Sequence, residues 1–382
     1  MLTLQEKEQG MKKITILLFW TCSFTLMAQT NMYEKVDEKI AQHSSLFDKN
    51  AISALAAFIN TNFSDETDKL RAVFTWTTNN FEYDVENMFT IKSYNDPQEI
   101  IAEMLKNRKG ICMHFAYLFA EITNQLGIKT YVTAGYTKQN GIIDNIPHVW
   151  NASLIDTVWY LIDPTWGAGY VQNQKFVKRQ NNDYFKANPT DLIRSHMPFD
   201  PLWQFLNYPI SAQEFYDSRT EINKEKSFFD YAAILKAHEN MSKIEQLVSA
   251  NRRIEQNGVR NALIRNHLQD NLKEIMINRY NSAVYLFNDG IEQLNEFIYF
   301  RNRQFTPEKT EMEIREMTKI SENLLISSRN ELQKILTADP NLMNMTNQLR
   351  NSVNEAIKQI EEQNEFINKY FNTRKVFRKS LF

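Results

Sequence analysis

Three short segments between residues 107 and 170 constrain this chain more than anything else in it. The first is Lys109-Gly110-Ile111-Cys112-Met113-His114-Phe115-Ala116, the second Pro147-His148-Val149-Trp150-Asn151, the third Leu161-Ile162-Asp163-Pro164-Thr165-Trp166-Gly167. In chain order they offer Cys112, His148 and Asp163, a nucleophile, a base and a carboxylate to orient it, the set a cysteine acyl-transfer site needs. The first segment reads as a helix start. Gly110 suits a tight turn, apolar residues follow at helical spacing (Phe115, Leu118, Phe119, Ile122, Leu126), and Gly127 suits the C-terminus. Cys112 then sits in the first turn, where unpaired N–H groups and the helix dipole favour an anion, the form in which a thiol reacts. The other two segments read as strands, residues 148–155 and 157–163. A hairpin turn centred between Ile155 and Asp156 sets His148 opposite Asp163, with Cβ atoms about 4.5–5.5 Å apart. A slip of one residue turns the two side chains to opposite faces.

These residues resemble the transglutaminase-like superfamily, with its papain-like Cys-His-Asp core. The matching pieces are Lys109-Gly110-Ile111-Cys112 with Phe115-Ala116, then His148-Val149-Trp150-Asn151, then residues 159–166 (Trp-Tyr-Leu-Ile-Asp-Pro-Thr-Trp). Upstream, residues 76–84 (Trp-Thr-Thr-Asn-Asn-Phe-Glu-Tyr-Asp) resemble the Trp-containing helix end that precedes the Cys. Downstream, Gly167-Ala168-Gly169-Tyr170, Asp183-Tyr184-Phe185 and residues 196–204 (His-Met-Pro-Phe-Asp-Pro-Leu-Trp-Gln) resemble the bacterial, kyphoscoliosis-peptidase-like branch. The resemblance spans roughly residues 60–215. It implies an α+β fold, with N-terminal helices packed before an antiparallel sheet. It implies Cys112 as nucleophile, His148 as general base and acid, Asp163 as its orienter, and Trp76 as an auxiliary oxyanion group. Core packing is an equal reading of Trp76. The Cys112 backbone N–H is a natural oxyanion donor.

Around that centre, 382 residues suggest two or three domains. A net charge of −2 gives no sign of a nucleic-acid or anionic-membrane partner. Residues 1–28 read as an export signal with its true start at Met11: Lys12 and Lys13, an apolar run over residues 14–24, and Ala28 before the cut. Uncut, it is a membrane anchor. Cut, it leaves a periplasmic or secreted chain with no stable membrane span and Cys112 as its single cysteine, since Cys22 leaves with the signal. A buried structural cysteine is the plain reading of such a residue. Its placement at a helix start, in register with His148 and Asp163, favours the catalytic one.

Residues 29–217 read as the catalytic domain. Helical segments fall over residues 31–60 and from Ser64 or Asp65 onward, burying Leu70, Val73, Phe74 and Thr77. Asp96-Pro97-Gln98-Glu99 starts a further helix. A strand follows over residues 129–136, then a loop over residues 137–147 bordering the site. His114 reads as structural or solvated, and His196, His238 and His267 show no ligand spacing. A metal site is not expected, zinc on Cys112, His148 and Asp163 being a poor second, and no cofactor is implied. The aromatic residues of 167–215 read as packing. Residues 218–382 read as an all-α C-terminal domain, with helices near 228–256, 258–277, 279–303, 307–337 and 341–371. The stripe Leu349, Val353, Ala356, Ile360, Ile367 and Tyr370 suits packing within a small bundle, or a partner-binding face. The basic residues 374–380 read as a solvated tail.

The expectation is an exported thiol enzyme acting on peptide or protein amides through a thioester. Water as acceptor gives a peptidase or amidase, a lysine amine gives a cross-link, and the residues do not choose. The rival is a catalytically silent, protein-binding module whose helices recruit a partner.

Overall fold

The computed structural model describes residues 32–42, 51–90, 92, 94 and 96–382. The segment read as an export signal lies outside them. Helices α1 (Glu34–Ala41), α2 (Ala51–Asn62) and α3 (Glu66–Asn80) come first. Asp65 caps α3, accepting from the Thr67 and Asp68 N–H groups, and Leu70, Val73, Phe74 and Thr77 are buried as the pattern predicts. Arg71, 1% exposed, ties α1 to α3 through two hydrogen bonds of 2.7 Å to Asp37. Strand β1 (Glu82–Tyr83) follows, then α4 (Pro97–Asn107), begun by the Asp96 cap with Pro97 at its first position. Strand β2 (Lys109–Gly110) pairs in parallel with β1, setting Tyr83 beside Gly110, and leads into α5 (Cys112–Gln125).

The sheet is antiparallel. Its strands β3 (Thr130–Gln139), β4 (Ile142–Ile155), β5 (Val158–Ile162) and β8 (His196–Pro198) lie in the order β5-β4-β3-β8. Between β5 and β8 run α6 (Pro164–Ala168), the hairpin β6 (Gly169–Gln172) and β7 (Lys175–Lys178), a 3-10 turn at Asn182–Tyr184, and α7 (Pro189–Leu192). One face of the sheet packs on α5. There the Asn151 side chain donates to the Ala116 carbonyl at 2.9 Å, fixing β4 against the helix that begins at Cys112.

Two expectations about the sheet are corrected. Residues 137–147 are not a loop: β3 and β4 run on as one long hairpin, turning at Asn140 and Gly141 (φ 50° and 79°). That left-handed pair is the turn whose twist matches two strands, and Asn-Gly is its strongest sequence signal. The β4–β5 turn is centred between Asp156 and Thr157, one residue later than the expected position, so partners shift by two and Ile155 faces Val158. His148 is therefore not directly opposite Asp163. A two-residue shift keeps the face, which is why the site survives it.

The C-terminal region is helical: α8 (Ala212–Tyr216), α9 (Tyr231–His238), α10 (Lys243–Asn257), α11 (Ala262–Asn302), α12 (Glu311–Gln333) and α13 (Pro340–Asn372). The expected helix over residues 228–256 is two, because Ser242 starts a new one with Glu245 in a capping box. The expected pair near 258–277 and 279–303 is the single 41-residue α11, in which no residue between 277 and 279 breaks the backbone. Buried Ile254 and Ile264 pack with Tyr136 and Phe199 on the sheet side, so α10 and the start of α11 extend the sheet's own core. Farther out, Val353, Ala356 and Ile360 of α13 pack with Leu294 and Leu325 of α11 and α12, which spends the expected stripe on intramolecular packing. Residues 374–380 are mostly exposed, as a solvated tail would be. They coil as a 3-10 turn, with Arg378 donating to the Phe371 and Thr373 carbonyls. Among the described residues no helix is long and apolar enough to cross a membrane.

Candidate active site

Cys112 is the first residue of α5, as the sequence pattern predicts, and is 8% exposed. The preceding residue, Ile111, is the N-cap. Its backbone N–H donates to Nδ1 of His114 at 3.2 Å, and the far side of that ring meets the Tyr94 hydroxyl at 3.0 Å. His114 is buried and structural, fixing the first turn that carries Cys112; it is not solvated.

His148 lies on β4 and donates from Nε2 to Asp163 Oδ2 at 2.8 Å, and the Cys112 thiol is near enough to the same ring to favour its charged form. With Nε2 committed to the carboxylate, Nδ1 is the ring atom left for the thiol. Asp163 lies just past β5, diagonal to His148, and diagonal neighbours about 7–8 Å apart are within reach of a long side chain and a ring. The carboxylate is 0% exposed, yet it has four donors. Oδ1 caps α6, accepting from the Thr165 N–H at 2.8 Å and the Trp166 N–H at 3.1 Å. Oδ2 accepts from His148 and from Nε2 of His196, at 3.1 Å. The sequence Asp-Pro-Thr-Trp thus does two jobs: it starts a helix in the usual way, and the capping carboxylate is aimed at the imidazole.

Burial disfavours charge on both partners, but their mutual attraction wins. For His148, burial alone lowers the pKa. The Asp163 charge, its hydrogen bond and the Cys112 contact outweigh that and raise it to about 10. Burial would raise Asp163, and His148 and His196 together hold it well below the usual carboxylate range. The sign of the stability effect follows. The pair contributes fully below about pH 6.5, the unfolded histidine value, and that contribution fades as pH rises toward about 10. On the acid side it is present above the ordinary aspartate range, near pH 4, and is lost as pH falls through the depressed Asp163 value. Asp163→Asn is therefore expected to destabilise the protein more at pH 6 than at pH 10. Denaturant midpoints of both proteins at the two pH values measure it, and an equal loss at both contradicts a charged pair.

Trp150, Trp166 and Tyr184 wall the two imidazoles. The Trp166 ring centroid is 5.5 Å from that of His148 and 4.6 Å from that of His196, and the Trp150 centroid is 5.2 Å from that of His196. Trp76 is wholly buried, edge-on to Phe81 at 5.3 Å in the core beneath α3. Tyr83, not singled out in the sequence, stands by the site instead. Burial pushes its hydroxyl pKa up, and the Cys112 and Asp163 charges push it further. His196 was set aside for want of ligand spacing. Its signal was topological, since it needs β8 laid against β3, which spacing along the chain does not reveal. Ligating atoms of His148, Asp163 and His196 lie within 4.8 Å of one another. Both ring nitrogens are at hydrogen-bond distance from one carboxylate oxygen, so shared protons account for the cluster.

The family model described as the transglutaminase-like superfamily matches residues 53–164. Kyphoscoliosis peptidase of Mus musculus is 29% identical over 222 residues, covering 56% of this chain and 32% of that protein. The Homo sapiens kyphoscoliosis peptidase is 27% identical over 221 residues, with the same coverage of 56% and 32%. The chain thus spans about a third of the length of these curated relatives. A TGase of known crystal structure is 22% identical, with a TM-score of 0.25 over 40% of this chain and 43% of that one.

Proposed function

Since residues 53–164 form a transglutaminase-like domain, we propose that this chain is a thiol enzyme performing acyl transfer or hydrolysis on peptide or protein amides. The observation that carries the reading is the buried His148–Asp163 hydrogen bond of 2.8 Å, with the Cys112 thiol on the first turn of α5 near enough to act on the His148 charge. In the proposed reaction the Cys112 thiolate attacks the amide carbonyl while its partner imidazolium is held by Asp163. The Cys112 backbone N–H, at the helix start, faces the oxyanion. Collapse breaks the C–N bond, the amine leaves with the His148 proton, and a thioester remains on Sγ. His148, now neutral, takes a proton from water or from an incoming amine, which attacks the thioester and returns the free thiol. Of the two readings of Trp76, oxyanion assistance and core packing, its burial against Phe81 supports packing, and the Tyr83 hydroxyl, which senses the Cys112 charge, is proposed as the auxiliary group instead.

We place the reaction outside the cytoplasm, on the signal-like residues 11–28. Residues 29–217 are proposed as the catalytic unit and 218–382 as a helical unit packed through its own apolar stripe. The curated relatives named as peptidases support hydrolysis over cross-linking. A denatured protein mixture incubated with the enzyme in the presence of a small primary amine tests both. New peptide termini, absent with Cys112→Ala, indicate hydrolysis. Amine-tagged glutamines indicate transfer. Neither product with freely reactive Cys112 sinks the proposal. A silent binding module is the second reading, and the observation favouring it is that Cys112 is only 8% exposed. Failure of a small alkylating agent to reach the thiol favours that reading.

A further inference from the structure

We propose that His196 is a positioning residue of this site: its Nε2–H donates to Asp163 Oδ2 beside the His148 bond, so that the carboxylate stays ionised and aimed at the catalytic ring. The inference rests on the thiol-enzyme reading above and adds a fourth residue to it. His196 is 1% exposed, on β8 facing Thr137 of β3, two positions along β3 from Gly135, which faces His148. Both rings therefore emerge from one face of the sheet, toward the same oxygen. The bond lengths are 2.8 Å from His148 and 3.1 Å from His196.

The tautomer is fixed by the partners. An ionised carboxylate accepts only, so Nε2 of His196 carries the hydrogen. Its Nδ1 is 2.8 Å from the Ser195 hydroxyl, which must then donate. Charged and titratable groups around the pair come from every side: Cys112 on α5, Tyr83 on β1, Tyr184 of the 3-10 turn, and Asp144 on β4. Burial, helped by the His148 charge, lowers the His196 pKa more than Asp163 and Asp144 raise it, so the ring is neutral at pH 7. That matters chemically. A neutral donor satisfies the carboxylate without putting a second positive charge beside the His148 imidazolium. A buried carboxylate that lost this donor would keep three, and nothing would restrain Oδ2 on that side.

The device is held from behind. Asp200, four residues on, forms a buried pair with Arg253 of α10 at 2.6 Å, and Phe199 stacks on His267 of α11 at 4.3 Å. The helical region thus clamps the segment that carries His196.

The test uses the full chain labelled with ¹⁵N-histidine and reads Cys112 alkylation by iodoacetamide at pH 6. The expected spectrum shows His196 as the neutral Nε2–H tautomer at pH 7, with His148 as imidazolium. His196→Phe keeps the ring volume without a donor and is expected to slow alkylation about tenfold. His196→Gln, whose amide N–H reaches about where Nε2 lies, is expected to recover most of that rate. A structural role alone predicts no advantage of Gln over Phe. If His196→Phe does not fold, Ser195→Ala frees Nδ1 on an otherwise intact chain and is expected to mix the two tautomers. A His196 that is charged, or that carries its hydrogen on Nδ1, overturns the proposal, as does a His196→Phe protein alkylated at the wild-type rate. Slow, free-thiol-like alkylation of the wild type would instead fell the thiol-enzyme reading, and this inference with it.

Discussion

Iodoacetamide is expected to alkylate Cys112 rapidly at pH 6, and His148→Ala is expected to slow that reaction about a hundredfold or more. An isolated thiol with a pKa near 8.5 is ionised to about one part in 300 at pH 6. Alkylation follows the thiolate fraction, so a thiol kept ionised by a neighbouring imidazolium gains most of that factor. The structure supplies the imidazolium. Asp163 holds His148 in its charged form up to about pH 10, with the Cys112 thiol near enough to feel that charge. The wild-type rate should therefore depend little on pH between 6 and 8, while the His148→Ala rate climbs toward it as pH passes about 8.5. Alanine at 148 removes the cation and leaves the thiol at the start of α5 with the helix dipole alone, worth about 0.3–1 kcal/mol near a surface. That is too little to replace a buried ion pair. Wild-type alkylation that rises only above pH 8, unchanged by His148→Ala, contradicts an activated site. The same experiment measures access. Cys112 is 8% exposed, and complete resistance to a small reagent while the folded state persists identifies a closed site.

What the sequence made legible was local. The Asp96-Pro97 start of α4, the Asp65 cap of α3 and the helix opening at Cys112 are each written in a few adjacent residues, and all three stand where the pattern places them. The strand segments around His148 and Asp163 were equally readable, and so was the face on which the two meet. Their register was not, because the β4–β5 turn uses Asp156 and Thr157 at φ 47° and 71°, and neither is a residue that announces a left-handed turn as glycine does. The long β3–β4 hairpin was announced, by Asn140-Gly141, and reading the polar residues around it as a loop missed the signal. His196 marks a different limit. It lies 33 residues from the carboxylate it touches, and nothing local in Ser195-His196-Met197 foretells that β8 will pair with β3. The long α11 shows the reverse case: the helices expected near 258–277 and 279–303 are one, and no Gly or Pro stands at Asn278 to divide them.

Gly135→Ala is expected to cost about 3 kcal/mol of stability and to cut Cys112 reactivity with it, because this glycine is where three strands meet at the site. Gly135 on β3 faces His148 of β4 on one side and Pro198 of β8 on the other. A Cβ built there falls 2.1 Å from the Met197 carbonyl oxygen, 2.6 Å from a Trp150 ring carbon and 2.7 Å from the Pro198 Cα. Two of those three obstacles are backbone, so no rotamer change relieves them. The neighbouring strand must move, and β8 has only three residues of pairing with which to resist. Moving β8 carries His196 away from Asp163. Displacing Trp150 disturbs a ring packed against both His148 and His196. A single methyl group is thus expected to loosen both hydrogen bonds to Oδ2 from the outside, without altering any of the four polar residues. Chemical denaturation and the pH 6 alkylation rate of the same preparation check it together. Gly127→Ala serves as comparison: a Cβ there meets nothing within 4 Å, and only its φ of +82° is strained. It is expected to cost about 1 kcal/mol and to leave Cys112 as reactive as in the parent. Equal losses of reactivity in the two variants would mean that alkylation follows global stability rather than the approach of β8, and would remove the role assigned to Gly135.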